Sequence, residues 1–175
     1  MKLANHSNNQ HGLTLIELVI AMTLTVLLLT ALFTLLSTSL KAWTLGGSKT
    51  EVQHTARYCI DTLTRDLQFA SEITLINDKS LDLVTDQYQT TKKKVNYTNN
   101  TVGQIGILYK DINDGSPRQP LTGGPNSPIS VAVLFKDLTP LSSPTRSIGI
   151  TLTATDINTK QNFTIETAVS SMLIH

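Results

Sequence analysis

Cysteine, charge and aromatic side chains are all scarce in this chain of 175 residues. A single cysteine, Cys59, excludes an internal disulfide framework, so the folded part must be held by its apolar core. Charged residues make up 15% and the formal net charge is +1, which excludes the overall basic character of a nucleic-acid binder. The histidines His6, His11, His54 and His175 show no metal-ligand spacing. His54 and Cys59 would lie about 140° apart round a helix, so they cannot form a nucleophile–base dyad. Gly47-Ser48-Lys49-Thr50 ends like a phosphate-binding loop, but a serine separates glycine from lysine and the upstream glycine is missing. Asp111, Asn113 and Asp114-Gly115 begin like a calcium loop, yet glycine comes one place early and no acid closes the loop, so a turn is expected. Lys92-Lys93-Lys94 reads as a solvated loop rather than a DNA contact. The chain has no internal repeats. No cofactor, metal ion or catalytic residue is expected, and an enzyme is not.

What the sequence does have is one long run without charge, residues 18–40. As a helix, residues 13–40 would be about 40 Å long, enough to cross a hydrocarbon core of about 30 Å. The anchor is expected to rest on Leu18, Val19, Ile20, Leu27, Leu28, Leu29 and Phe33. A cleaved secretory signal does not fit, because the run is too long and starts behind an acid, Glu17. A plain signal anchor remains open on hydropathy alone. Glu17 sits just inside the start of the helix, where an unpaired carboxylate costs on the order of a few kcal/mol. It therefore requires a partner cation. Cleavage after Gly12 would supply one: the α-amine of Leu13, with an ordinary pKa of about 7.7–8.0, lies one helical turn from Glu17 or near the Glu17 of a neighbouring subunit.

Gly12-Leu13-Thr14-Leu15-Ile16-Glu17, followed by Leu18-Val19-Ile20-Ala21, resembles the type IV prepilin family, including the pseudopilins of type II secretion. The resemblance implies a leader over residues 1–12 and cutting by prepilin peptidase between Gly12 and Leu13. It also implies N-methylation of Leu13 and a role for Glu17 in registering neighbouring subunits. Leu13 stands where phenylalanine is commoner. Lys2 is the leader's only fixed positive charge, and Lys41, Lys49 and Arg57 follow the span, so charge bias does not set its orientation. Thr34 stands where many major pilins have a kinking proline, which tilts the resemblance toward minor pilins. Residues 56–67, through Leu63, Arg65, Asp66 and Leu67, are similar to the second helix half of W-type minor pilins and J-type minor pseudopilins.

Gly46-Gly47 is expected to interrupt the helix, as a hinge or a melted turn, since each glycine costs about 1 kcal/mol against alanine. Helical spacing returns with Val52, Ala56, Ile60, Leu63 and Leu67, Cys59 beside them, and Arg57, Asp61 and Arg65 form an i, i+4 ladder. The helix should end near Ala70-Ser71. Strands are then expected at 73–76 and 81–85 round a turn at 77–80, and at 95–98 and 102–110 round Asn99-Asn100. A loop over 111–128 leads to a buried strand at 129–136. The alternation of Ile148, Ile150, Leu152 and Ala154, answered by Phe163, Ile165 and Val169, predicts a final hairpin turning at 156–160.

The expected fold is α+β: a long N-terminal helix, transmembrane in its first half and amphipathic in its second, packed on an antiparallel sheet as in pilins. Its parts would be a leader at 1–12, an assembly helix at 13–40, its amphipathic continuation at 41–71 and a β domain at 72–175. The resemblance implies a minor pilin acting in initiation or tip assembly. Its partners would be prepilin peptidase, other major and minor pilins, the inner-membrane assembly platform and membrane lipid. It would sit in the inner membrane as a single pass with its C-terminal domain outside the cytoplasm, and in a pilus or pseudopilus after assembly. A minor pseudopilin, or a binding domain on a plain anchor, are the alternatives.

Overall fold

A computed structural model describes residues 14–85, 93–140 and 146–171. One helix, α1 (Leu15–Gln68), is followed by eight strands: β1 (Ala70–Asn77), β2 (Ser80–Thr85), β3 (Lys93–Val102), β4 (Ile105–Asp111), β5 (Gln119–Pro120), β6 (Ile129–Asp137), β7 (Ser147–Asp156) and β8 (Asn162–Ser170). The chain divides into two compact units, Met1–Thr44 and Leu45–His175.

In the first unit the described residues are helical from Leu15 onward, and none is buried. The helix holds because its apolar side chains are mostly straight or γ-branched and its hydroxyls have partners of their own. Thr23 Oγ1 donates to Ile20 O at 2.8 Å, Thr25 to Ala21 O at 2.7 Å, Ser37 to Phe33 O at 2.9 Å and Thr38 to Thr34 O at 2.8 Å.

The second unit has a core. The helical stripe Val52, Ala56, Cys59, Ile60, Leu63 and Leu67 is buried against the inward residues of two antiparallel sheets. Burial of a leucine such as Leu63 or Leu67 stabilises by about 1.5–3 kcal/mol. Sheet residues meeting the stripe recur every second position: Leu81 and Leu83, Val95 and Tyr97, Val131 and Val133, Ile148, Ile150 and Leu152. The α+β arrangement of a long N-terminal helix packed on antiparallel strands is thus present.

Four details differ from the expectation. The helix runs through Gly46-Gly47 without a break and ends at Gln68, so that Ala70 already begins β1. Ser48, directly after the glycines, makes a buried contact described below. Asn99-Asn100 lie inside β3 rather than in a turn. Asn99 is tied into the sheets, its N–H donating to Lys79 O and its Nδ2 to Val131 O, both at 2.9 Å. The turn falls at Gly103-Gln104 instead, where Gly103 takes the left-handed φ of +63° that a two-residue hairpin needs. Finally there are two sheets, one of order β1-β2-β3-β4-β5 and one of order β6-β7-β8. They meet where β4 passes β6: Gly106 N–H donates to Ser130 Oγ at 2.8 Å, and a Cβ on Gly106 would overlap Val131 O.

Candidate assembly and anchoring site

Glu17 is exposed at the start of α1, in its third helical position. Thr14 stands at the N-cap, and the two residues bond reciprocally. Glu17 N–H donates to Thr14 Oγ1 at 3.4 Å, while Glu17 Oε2 accepts from Thr14 N–H at 3.5 Å and from Thr14 Oγ1 at 3.4 Å. This is a capping box written in the sequence as Thr-Leu-Ile-Glu, and its bonds are long. A carboxylate in the first turn also meets the positive end of the helix dipole. Hydropathy assigns Glu17 no local partner; the spacing from Thr14 to Glu17 is the signal that reveals one. Gly12 and Leu13, the expected cleavage and methylation positions, lie outside the described residues.

Behind Glu17 the apolar side chains face outward. Leu18, Val19 and Ile20 are about half exposed, and Leu27, Leu28, Leu29 and Phe33 more so, with Phe33 at 72%. Ala21 and Thr25 follow Glu17 at i+4 and i+8, so the face carrying the carboxylate is also narrow. With the hydroxyls bonded to carbonyls one turn back, this surface presents few unsatisfied polar groups to an apolar medium. The helix is long and apolar enough to cross a membrane.

The second unit holds two buried polar contacts that periodicity does not reveal. Asp66, fully buried on α1, accepts from Tyr97 Oη of β3 and from Lys110 Nζ of β4, each at 2.5 Å. Lys110 Nζ also stands 5.7 Å from the Tyr97 ring centre. One carboxylate therefore fixes the helix to two neighbouring strands. Ser48 Oγ donates to Asp156 Oδ2 and lies 2.5 Å from Thr159 Oγ1, joining the helix to the β7–β8 turn. The Ser48 hydroxyl and the backbone N–H groups of Thr159 and Asn158 hold the Asp156 carboxyl below the usual carboxylate range.

The remaining candidates have local explanations. Burial pushes the Cys59 thiol up to about 12, which makes it inert as a nucleophile. Asp111 Oδ1 accepts from Asn113 N–H at 2.9 Å and Asp114 Oδ1 from Ser116 N–H at 3.0 Å, so these acids make turns. Lys93 pairs with Asp114 at 3.4 Å and Lys94 with Asp82 at 2.8 Å. Arg57, Asp61 and Arg65 are exposed and close no ion pair with one another. A solvent-open cleft of about 420 Å³ lies over Tyr58, Asp61, Arg65, Lys110 and Gln119. Among the described residues no three His, Cys, Asp or Glu side chains gather as metal ligands would.

Residues 7–33 match the family model of the prokaryotic N-terminal methylation motif. The match covers Gly12 and Leu13, Glu17 and most of the apolar run, and it supports a type IV pilin-like family, one of structural subunits rather than enzymes. No curated protein and no solved structure matches the chain.

Proposed function

We propose that this chain is a minor type IV pilin: made as a prepilin, cut by prepilin peptidase between Gly12 and Leu13, methylated on Leu13, and assembled with other pilins at the start or tip of a filament. The observation that carries the reading is the methylation-motif match over residues 7–33, set on an apolar helical run, residues 15–40, whose one carboxylate, Glu17, is exposed. In an apolar medium that carboxylate is stabilised by a cation, and the new α-amine of a neighbouring subunit is suited to the task. Ala21 and Thr25 leave room beside Glu17 for a second helix to approach. The unbroken helix through Thr34, with no kinking proline, supports a minor rather than a major subunit, whether in a pilus or in a type II secretion pseudopilus. W-type minor pilins and J-type minor pseudopilins are the nearest subtypes by resemblance of residues 56–67. The inner membrane, with the β unit outside the cytoplasm, is the location this role requires.

The Thr14–Glu17 capping box favours a second reading, in which Glu17 only starts the helix of a plain anchor bearing a binding domain. Two substitutions separate them. Glu17→Gln can keep the capping box but carries no charge, whereas Glu17→Ala loses both. The assembly reading expects both variants to stay in the membrane and to fail to enter filaments, which immunoblotting of sheared filaments measures. Wild-type incorporation of Glu17→Gln would overturn it. Mass spectrometry of the N-terminal peptide from native membranes tests the processing step. The expected peptide begins at N-methylated Leu13, and an intact leader in the presence of the peptidase would overturn that step.

A further inference from the structure

The sheet edges in the second unit are not treated alike. At β1 the Arg146 guanidinium donates from Nη1 to Ile73 O at 2.6 Å, and the Ser171 hydroxyl donates to Ala70 O at 2.5 Å. The register of β1 also shifts twice along its length. β6 is occupied by Asn99 and by the close pass of Gly106, and Phe135 N–H donates to Asp78 O at 2.7 Å. β5 is two residues long and ends in Pro120. Capping groups, irregular register, shortness, proline and charged side chains are the means by which proteins close sheet edges.

Among the described residues β8 uses only the last of them, through the single charge of Glu166. It is nine residues long, pairs with β7 without a register shift, and contains no proline and no lysine. It is the last strand of its sheet. Ser171 N–H donates to Arg146 O at 3.2 Å, which fixes the phase of the ladder, because bonded and non-bonded pairs alternate in an antiparallel sheet. By that alternation Asn162, Thr164, Glu166, Ala168 and Ser170 turn their backbone N–H and C=O away from β7. All five are exposed, and among the described residues no group bonds to this edge. Glu166 is the strand's only charge; it faces Thr151 on β7 and has no ion pair among the described residues.

We propose that the outer edge of β8 is a docking site for an extended segment of a different polypeptide, which adds a strand and brings a Lys or Arg opposite Glu166. Strand addition takes its affinity from main-chain hydrogen bonds and its specificity from alternate side chains. A second copy is the poorer occupant: antiparallel pairing over the whole of β8 sets Glu166 against itself, and like charges directly opposite are destabilising. The inference goes beyond the pilin reading and does not depend on it.

The test uses the full-length chain in detergent and two seven-residue probes of alternating threonine and valine. One carries lysine and the other glutamate in place of the central valine. Amide hydrogen exchange should slow at least tenfold at Thr164, Glu166 and Ala168 with the lysine probe and not with the glutamate probe, while Ile165 and Thr167 stay protected throughout. Glu166→Lys, an exposed change, should reverse the preference, and Ala168→Pro should abolish binding by removing one outward N–H. Unchanged exchange with both probes would overturn the proposal. So would protection that grows with protein concentration in the absence of any probe, since the occupant would then be a second copy.

Discussion

The two halves of α1 are one helix held by two different kinds of interaction. From Leu15 to Thr44 the contacts that keep the helix are, among the described residues, local: backbone bonds, the Thr14–Glu17 cap and hydroxyls folded back one turn. From Ser48 to Leu67 the helix is held by what it touches elsewhere in the chain, namely the sheet residues of the core, Tyr97, Lys110 and Asp156. The first half leaves its apolar side chains exposed. The second half buries its apolar stripe. A sequence can therefore continue one secondary structure while changing what stabilises it.

Substitutions that break this contrast should differ most where the helix touches the core. Asp66→Ala removes one partner of a buried charged pair and should destabilise the second unit by about 3–5 kcal/mol. Leu63→Ala should cost about 2–5 kcal/mol through lost burial and the cavity left behind. Leu28→Ala, on the exposed half, should change the same unit's stability by no more than about 0.5 kcal/mol. Urea unfolding of the detergent-solubilised chain, followed by near-ultraviolet circular dichroism, measures all three, and an equal cost for Leu28→Ala and Leu63→Ala would break the comparison.

Ser48→Ala comes next. It deletes a hydrogen bond to the Asp156 carboxylate, a class of contact worth about 1.5–3 kcal/mol, at the place where core contacts begin. The expected loss appears in the same unfolding curves. Gly46→Ala and Gly47→Ala should act in the other direction, each stabilising by up to about 1 kcal/mol. Both glycines are helical and have open space where a Cβ would stand. Slower amide exchange over residues 46–50 would register the gain.

The smallest effect is in acid. Hydrogen bonds from Thr139 and Arg146 hold the Asp137 carboxyl down from 3.8 to about 2. A folded pKa below the unfolded one means that the contribution is present above about pH 4 and is lost as pH falls toward about 2. Asp114 and Asp156 are lowered too, so their contributions run in the same sense. Asp137→Asn should flatten this part of the decline in thermal midpoint. The change should be modest, because Asp137 is 37% exposed and screened by solvent. An unchanged slope would show that the Arg146 pair adds nothing there.

Much of the fold is legible in the residues alone. The apolar stripe from Val52 to Leu67 and the alternation of Ile148, Ile150 and Leu152 are local periodicities, and a period fixes which face is buried. Composition favours a turn at Asn99-Asn100, since asparagine is a common turn residue. Contacts from elsewhere in the chain override it: Lys79 and Val131 accept from Asn99 and hold it in β3. The expected break at Gly46-Gly47 is also absent. Propensity is a sum over local terms, and Ser48 is fixed by a residue 108 positions away.

The sequence by itself determined the anchoring run, the position of Glu17 in the first turn of α1, the buried stripe and the final hairpin, because each is a pattern within one element. Only the tertiary structure decided that Asp66 is buried between Tyr97 and Lys110, that the strands form two sheets which meet at Gly106, and that among the described residues no group bonds to the outer edge of β8 while β1 and β6 are closed. Those depend on which distant elements come to lie side by side, and no local period encodes that choice.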